Sequence, residues 1–273
     1  MRRLLSISLA LAANIASAQS AAAFTRNIMI TGYWPPTNEM VRRFSNNPVQ
    51  NPDGWIGDNW EGRGYDVYSF FPEFPNGIGQ GEGDLEVDYQ DTSADFWRIA
   101  AEVRPLAIIT FSRGGFGLTP RWEIERYQRN LETWVDDYTA PFQPTPSPPD
   151  GSAPAGFVRS SSLPLTDIRD AVDGAAFGVD AFISNDYGGG FLSEFIAYHG
   201  TWYQSLHSDP SDPDWTIAAG HIHVDLNMPL DKAIQATDIT LRVLTEYLDT
   251  QIPEPSALIL LAFGALVVPR SRR

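Results

Sequence analysis

Ser193 is the side chain in this 273-residue sequence best placed to act as a nucleophile. It follows the glycines at positions 188–190 and opens a stretch with a helical pattern. A hydroxyl there is aimed by the turn and faces the positive end of a helix dipole, where α/β enzymes commonly carry a nucleophile. The simpler interpretation is that the glycines make a tight turn and Ser193 caps the helix. The local sequence predicts a turn–helix junction and leaves both roles open.

Histidines could supply a general base or a metal ligand, and His221 and His223 lie two residues apart on a predicted strand. Their side chains therefore share one face of the strand. With Asp225 they present three ligand-type side chains, which could hold zinc in a metal-dependent hydrolase. No fourth ligand is evident, so we expect no metal or other cofactor. The chain has no cysteine, which excludes a thiolate nucleophile or thiolate metal ligand.

The elements that must position these residues alternate between strand and helix. Patterns of apolar residues predict strands at 26–33, 65–71, 105–111 and 215–226, and helices at 92–103 and 230–248. Residues 163–198 read as a helix, a short buried strand, a glycine-rich turn and a second helix, with His199 following that helix. We therefore predict a single three-layer α/β domain, with a mostly parallel twisted sheet and helices on both faces.

Two further segments are predicted to lie at the surface. Residues 122–134 (WEIERYQRNLETW) contain Glu125 and are dense in charge, which is typical of a solvated segment. Residues 138–156 are rich in proline, serine and glycine and predict a long surface loop.

Both ends of the chain are similar to targeting signals. Residues 1–18 combine two arginines, an apolar run and Ala-Ser-Ala, which indicates a secretory signal peptide. Residues 253–273 combine Pro-Glu-Pro, an apolar stretch too short to span a membrane comfortably, and an arginine cluster. This order resembles the PEP-CTERM sorting signal of bacterial envelope proteins, which implies an exosortase-type processing enzyme besides signal peptidase. We predict export to the cell envelope or extracellular space, with residues 19–252 as the mature domain.

The formal net charge of the chain is −15. Removing both predicted signals removes five arginines and one glutamate, so the mature domain is still more acidic. Such a surface repels nucleic acid and anionic membranes. We therefore expect neither as a partner.

Several stretches, taken in order, resemble pyroglutamyl peptidase I, a Cys-His-Glu family that removes N-terminal pyroglutamate. The matching stretches are TGYWP at 31–35, ERYQRN at 125–130, LP at 163–164, the turn GGGFLS at 188–193, and IHV at 222–224. The resemblance covers most of residues 26–250. It implies the same fold, a peptide or small amide as substrate, and a catalytic set of Ser193, His223 and Glu125. It also implies that Tyr33, Trp34 and Phe191 wall the pocket for the pyroglutamyl ring.

The sequence departs from the family pattern at the predicted nucleophile. Ser193 stands in place of the catalytic cysteine, and Glu194 stands in place of the asparagine that follows it. A serine hydroxyl is not held ionised and must pass its proton to His223 during attack, with Glu125 orienting the imidazole. Backbone N–H groups near the glycine turn could form an oxyanion hole.

Two functions are compatible with this resemblance. One is a Ser-His-Glu hydrolase acting on a pyroglutamyl or related amide. The other is a catalytically inactive envelope or matrix domain that binds peptide or glycan in the pocket where the family binds its substrate.

Overall fold

Eight strands and five α-helices make up the part of the chain that a computed structural model describes, residues 24–115 and 117–252. The predicted signal peptide (1–18) and sorting tail (253–273) lie outside these residues. The strands are β1 Asn27–Thr31, β2 Asp66–Phe70, β3 Ala107–Arg113, β4 Arg121–Glu125, β5 Tyr127–Asn130, β6 Phe157–Ser160, β7 Asp180–Ser184 and β8 Ala218–Val224. The helices are α1 Thr37–Val41, α2 Tyr89–Val103, α3 Leu165–Gly174, α4 Leu192–Leu206 and α5 Leu230–Gln251, with 3₁₀ turns at Arg42–Phe44 and Trp60–Gly62.

Six strands form one sheet in the order β2-β1-β3-β8-β4-β7. Every neighbouring pair is parallel except β4 and β8, which are antiparallel. Strands β3 and β8 at the centre are buried almost throughout, which explains why their sequences are apolar or small over most of their length. Strands β5 and β6 form a separate antiparallel pair.

Helices cover both faces of the six-stranded sheet. Helices α1, α3 and α5 pack on one face, where Met40, Ile168 and Leu241 are fully buried in one apolar core. Helices α2 and α4 pack on the opposite face, where Phe96 and Phe195 are fully buried in a second core. The prediction of a mostly parallel three-layer α/β domain is confirmed.

Helix α2 shows how local sequence sets an element's ends. Asp88 precedes it and accepts hydrogen bonds from the N–H groups of Gln90 and Asp91, so the helix begins three residues before the predicted start. Arg104 ends it in a left-handed conformation with φ of 51°. The apolar side of the helix, which includes Phe96 and Val103, is buried.

The prediction that residues 122–134 form a solvated surface segment is wrong. Part of this segment belongs to β4, which lies between β8 and β7, and Glu125 at its end is only 1% exposed. Trp122 and Ile124 alternate with glutamates and are fully buried, which is a strand pattern with one charged face. The many charged residues made this strand look solvent-exposed in the sequence. Glu125 instead points toward another buried polar group.

His199 is also placed differently from the prediction. It lies inside α4, which continues to Leu206, and it is fully buried. None of the helices in the described ranges has both the length and the apolar character needed to cross a membrane.

Candidate active site

His223 and Glu125 meet on the face of the sheet covered by α2 and α4. In the antiparallel pairing of β8 with β4, Glu125 stands opposite His221 and His223 stands opposite Glu123. Glu125 and His223 are therefore diagonal neighbours, a spacing that long side chains can bridge. The Nδ1 atom of His223 lies 2.8 Å from Oε1 of Glu125. This contact assigns the proton to Nδ1 in the neutral imidazole and leaves Nε2 as an acceptor.

Burial and charge act against each other at this pair. Burial by itself would lower the pKa of His223, but the hydrogen bond and charge of Glu125 outweigh it, and the pKa of His223 is raised. Burial raises the pKa of Glu125, and contact with His223 opposes that shift. The pair is therefore built to stabilise a positive charge on the imidazole, as a general base requires.

Gly114 makes room for the His223 ring. A Cβ atom added to Gly114 would lie 2.5 Å from Cδ2 of His223, closer than real Cβ contacts allow. The N–H of Gly114 donates to the carbonyl of Val224, which holds the backbone against the end of β8. The loop after β3 therefore fixes one side of the imidazole.

Ser193 is the second residue of α4, and the helix begins after Phe191. No side chain caps this helix, so Ser193 does not have the capping role. Its hydroxyl donates to the carbonyl of Gly188 at 3.1 Å. Gly188 in turn packs on Glu125, since a Cβ there would lie 3.2 Å from Oε1 of Glu125. Gly188 thus links Ser193 to the Glu125–His223 pair, and the Ser193 hydroxyl donates to Gly188 and not to His223.

The glycine turn before α4 is held by a buried ion pair. Gly189 and Gly190 have φ of 88° and 76°, which side-chain-bearing residues rarely adopt. The N–H of Gly190 donates to Oε2 of Glu194 at 2.8 Å. Arg129 donates to both oxygens of that carboxylate, at 2.7 and 2.9 Å. Sequence reasoning missed the Arg129–Glu194 pair, although an acidic residue in the first turn of a helix was a usable signal.

A small cavity opens beside Ser193. Its wall contains Tyr33, Trp34 and Phe191, the three residues expected to bind substrate, together with Val87, Ser112, Arg113, Leu192 and Ser193. Trp34 and Phe191 stack with their ring centroids 6.2 Å apart. The hydroxyl of Tyr33 is not free, because it shares a hydrogen bond of 2.8 Å with Thr92. Sequence reasoning did not single out Ser112 or Arg113 for this site.

The zinc alternative does not have the predicted ligand set. Both carboxylate oxygens of Asp225 accept backbone N–H groups, from Gly117 and Asn227, so this side chain shapes a turn. At this place the ligand-type atoms within 4.8 Å of one another belong to Glu125, His221 and His223, without Asp225, and a separate cluster of this kind is formed by His207, Asp212 and Asp214. Nδ1 of His221 lies 2.7 Å from Oγ1 of Thr110. Burial lowers the pKa of His221 well below its usual value, which keeps this imidazole neutral.

No family model and no curated protein matches this chain by sequence.

Solved structures do match this chain in fold. Pyrrolidone carboxyl peptidase from Pyrococcus furiosus superposes with a TM-score of 0.60 at 18% identity, covering 81% of this chain and 99% of that one. The enzyme from Thermococcus litoralis gives 0.58 at 17% identity, covering 84% and 99%. The chain has the pyrrolidone carboxyl peptidase fold. At this identity the likeness establishes the fold alone.

Proposed function

We propose that this chain is a hydrolase that removes an N-terminal pyroglutamyl group, or cleaves a related amide, with Ser193 as nucleophile. The observation that carries the proposal is the buried 2.8 Å contact between His223 and Glu125, which packs against Gly188, the residue that accepts a hydrogen bond from Ser193. The solved structures of the same fold are named as pyrrolidone carboxyl peptidases, which supports the substrate class. His223 serves as general base, and Glu125 orients it.

The reaction begins when the Ser193 hydroxyl leaves the carbonyl of Gly188 and turns toward His223. Oγ attacks the scissile carbonyl carbon while its proton passes to Nε2 of His223. The tetrahedral intermediate collapses, the C–N bond breaks, and His223 returns the proton to the leaving amine. Water then attacks the acyl ester with His223 again accepting a proton, and pyroglutamate leaves as Ser193 recovers its hydrogen.

The developing oxyanion needs hydrogen-bond donors near Ser193. The N–H of Gly190 is engaged by Glu194, so it is not available for this role. The first N–H groups of a helix have no partner within the helix and carry the positive end of its dipole. We therefore propose that backbone N–H groups in the first turn of α4 form the oxyanion hole.

One observation favours the second candidate, an inactive binding domain. The Ser193 hydroxyl is hydrogen-bonded to the carbonyl of Gly188 rather than to His223. A domain that had lost its nucleophile would retain the aromatic cavity of Trp34 and Phe191 for binding peptide or glycan. The two candidates differ in turnover and share the pocket.

Hydrolysis of a pyroglutamyl fluorogenic amide by the purified protein separates them. The hydrolase requires turnover that Ser193→Ala abolishes. A matched control is Ser205→Ala, because Ser205 lies on the same helix and also donates to a backbone carbonyl, that of Trp202, at 2.7 Å. Turnover that appears only in Ser193→Cys would establish the inactive domain and overturn the hydrolase.

We further propose that the protein is exported and processed at both ends, on the sequence of residues 1–18 and 253–273. Signal peptidase and an exosortase-type enzyme would be its processing partners. The test is the mass of the protein recovered from the envelope or medium of a host with an exosortase. A product that retains both terminal segments would contradict the proposal.

A further inference from the structure

Arg113 is the last residue of β3 and lines the cavity that contains Ser193. It also lines a neighbouring surface cavity, together with Trp34, Ile78, Gly114 and Leu226. Arg113 and Trp34 therefore stand between the two cavities. The two cavities share Arg113 and Trp34, so a molecule bound at Ser193 has room to extend past Arg113 into the second cavity.

The guanidinium of Arg113 has no hydrogen-bond or ion-pair partner among the described residues. Most other arginines in the described residues pair with carboxylates, for example Arg42 with Glu73 at 2.6 Å and Arg104 with Asp214 at 2.6 Å. Arg121 and Arg126 also have no carboxylate partner there, but neither of them lines these two cavities. The chain carries 34 acidic residues against 19 basic ones, so carboxylates are abundant. An arginine left unpaired beside a cavity in such a protein is suited to an anion brought by the ligand.

The second cavity also has an apolar side. Ile78 is 57% exposed and Leu226 is 36% exposed, and both line it with Trp34. Exposed apolar side chains grouped at a cavity indicate a contact with an apolar ligand group. The second cavity thus offers one cation and an apolar wall.

We propose that the substrate carries a carboxylate on its leaving side, bound by Arg113, next to an apolar group bound by Trp34, Ile78 and Leu226. This inference rests on the proposed hydrolase function. The carboxylate has two possible sources, the free C-terminus of a pyroglutamyl dipeptide or an acidic side chain in a longer peptide. Arg113 recognises either through the same pair of N–H···O hydrogen bonds.

The test compares three substrates with the full-length protein: pyroglutamyl-leucine, its C-terminal amide, and pyroglutamyl-glutamate amide. We expect kcat/KM for at least one carboxylate substrate to exceed that for the neutral amide by about tenfold or more. A preference for pyroglutamyl-leucine identifies the free C-terminus, and a preference for the glutamate substrate identifies the side chain. Equal values for all three would overturn the inference.

Variants of Arg113 test the assignment itself. Arg113→Gln should raise KM for the preferred substrate and leave kcat nearly unchanged, because the interaction binds ground state and transition state alike. Arg113→Glu should reverse the preference. Arg169→Gln is the matched control, since Arg169 lies on α3 across the sheet and pairs with Asp170. Loss of the preference in that control would contradict the assignment.

Binding measurements separate a failure of the proposed hydrolase activity from a failure of the proposed carboxylate recognition by Arg113. If no substrate is turned over, calorimetric binding of the same three peptides to Ser193→Ala still measures the contribution of Arg113. Tighter binding of a carboxylate peptide, lost in Ser193→Ala/Arg113→Gln, supports the inference without catalysis. Binding that is absent, or equal for charged and neutral peptides, overturns it.

Discussion

Arg129 and Glu194 form a bidentate ion pair, and the Glu194 carboxylate is completely buried beneath the glycine turn. The same carboxylate accepts the N–H of Gly190, so the pair ties β5 to the start of α4. The guanidinium also stands over the ring of Tyr187, 4.1 Å from its centroid. The backbone that positions Ser193 is therefore held by an interaction between charged residues.

We predict that Arg129→Met lowers the free energy of unfolding by about 2–3 kcal/mol, because it leaves the Glu194 carboxylate buried without a counter-charge. Chemical denaturation measures this loss. Adding Glu194→Gln should recover part of the lost stability, since the double variant no longer buries an unpaired carboxylate. The control Arg169→Met breaks an exposed pair with Asp170 and should cost less than about 1 kcal/mol. Equal losses in the two single variants would contradict the prediction.

The second prediction concerns pH. His223 must be neutral to accept a proton, and Glu125 raises its pKa, so activity should rise with pH through this raised pKa. Glu125→Gln removes the charge that favours the imidazolium. The rising limb should then move to lower pH, and kcat should fall by on the order of 10³-fold. Profiles of kcat/KM against pH measure both effects, and an unmoved limb would show that His223 is not the titrating group.

The third prediction uses the close contact at Gly114. Gly114→Ala places a Cβ against the His223 ring, so either the ring or the loop must move. Displacing a catalytic group by about 1 Å can cost about 100-fold in rate. We expect kcat/KM to fall by that order, with a loss of about 1–3 kcal/mol in stability from overpacking. Gly151→Ala is the control, because a Cβ there meets nothing within 4 Å.

The fourth prediction concerns acid stability. Burial lowers the pKa of His199 to about 4, while an unfolded chain has a histidine pKa of about 6.5. The unfolded state therefore takes up the proton first, and stability is lost as pH falls from about 6.5 toward 4. Between pH 7 and pH 5 this single group should account for about 2 kcal/mol.

Urea denaturation at the two pH values measures that loss. The variant His199→Gln should show a pH dependence weaker by about 2 kcal/mol than the natural protein, even if it is less stable at pH 7. His207→Gln, at the partly exposed end of the same helix, is the control. An undiminished pH dependence in His199→Gln would assign the acid sensitivity to other groups.

Sequence reasoning succeeded where a signal is local. The apolar runs of β1, β3 and β8, and the turn from β7 into α4, were predicted because each pattern lies within one short segment. It failed at β4, because a glutamate that faces a buried polar site has the same appearance in sequence as a glutamate that faces water. Sequence also could not show that the Asp225 carboxylate, considered only as an alternative zinc ligand, accepts two backbone N–H groups.

The sequence by itself determined the alternation of strands and helices, the glycine turn before Ser193, and the residue types available for chemistry. Only the tertiary structure decided that β4 runs antiparallel beside β8, which brings Glu125 within 2.8 Å of His223. It also decided that the Ser193 hydroxyl donates to Gly188 and that Arg113 stands unpaired between two cavities, within the described residues. The physical reason is that periodicity and turn chemistry are carried by neighbouring residues, whereas strand pairing, burial and side-chain direction depend on segments far apart in the chain.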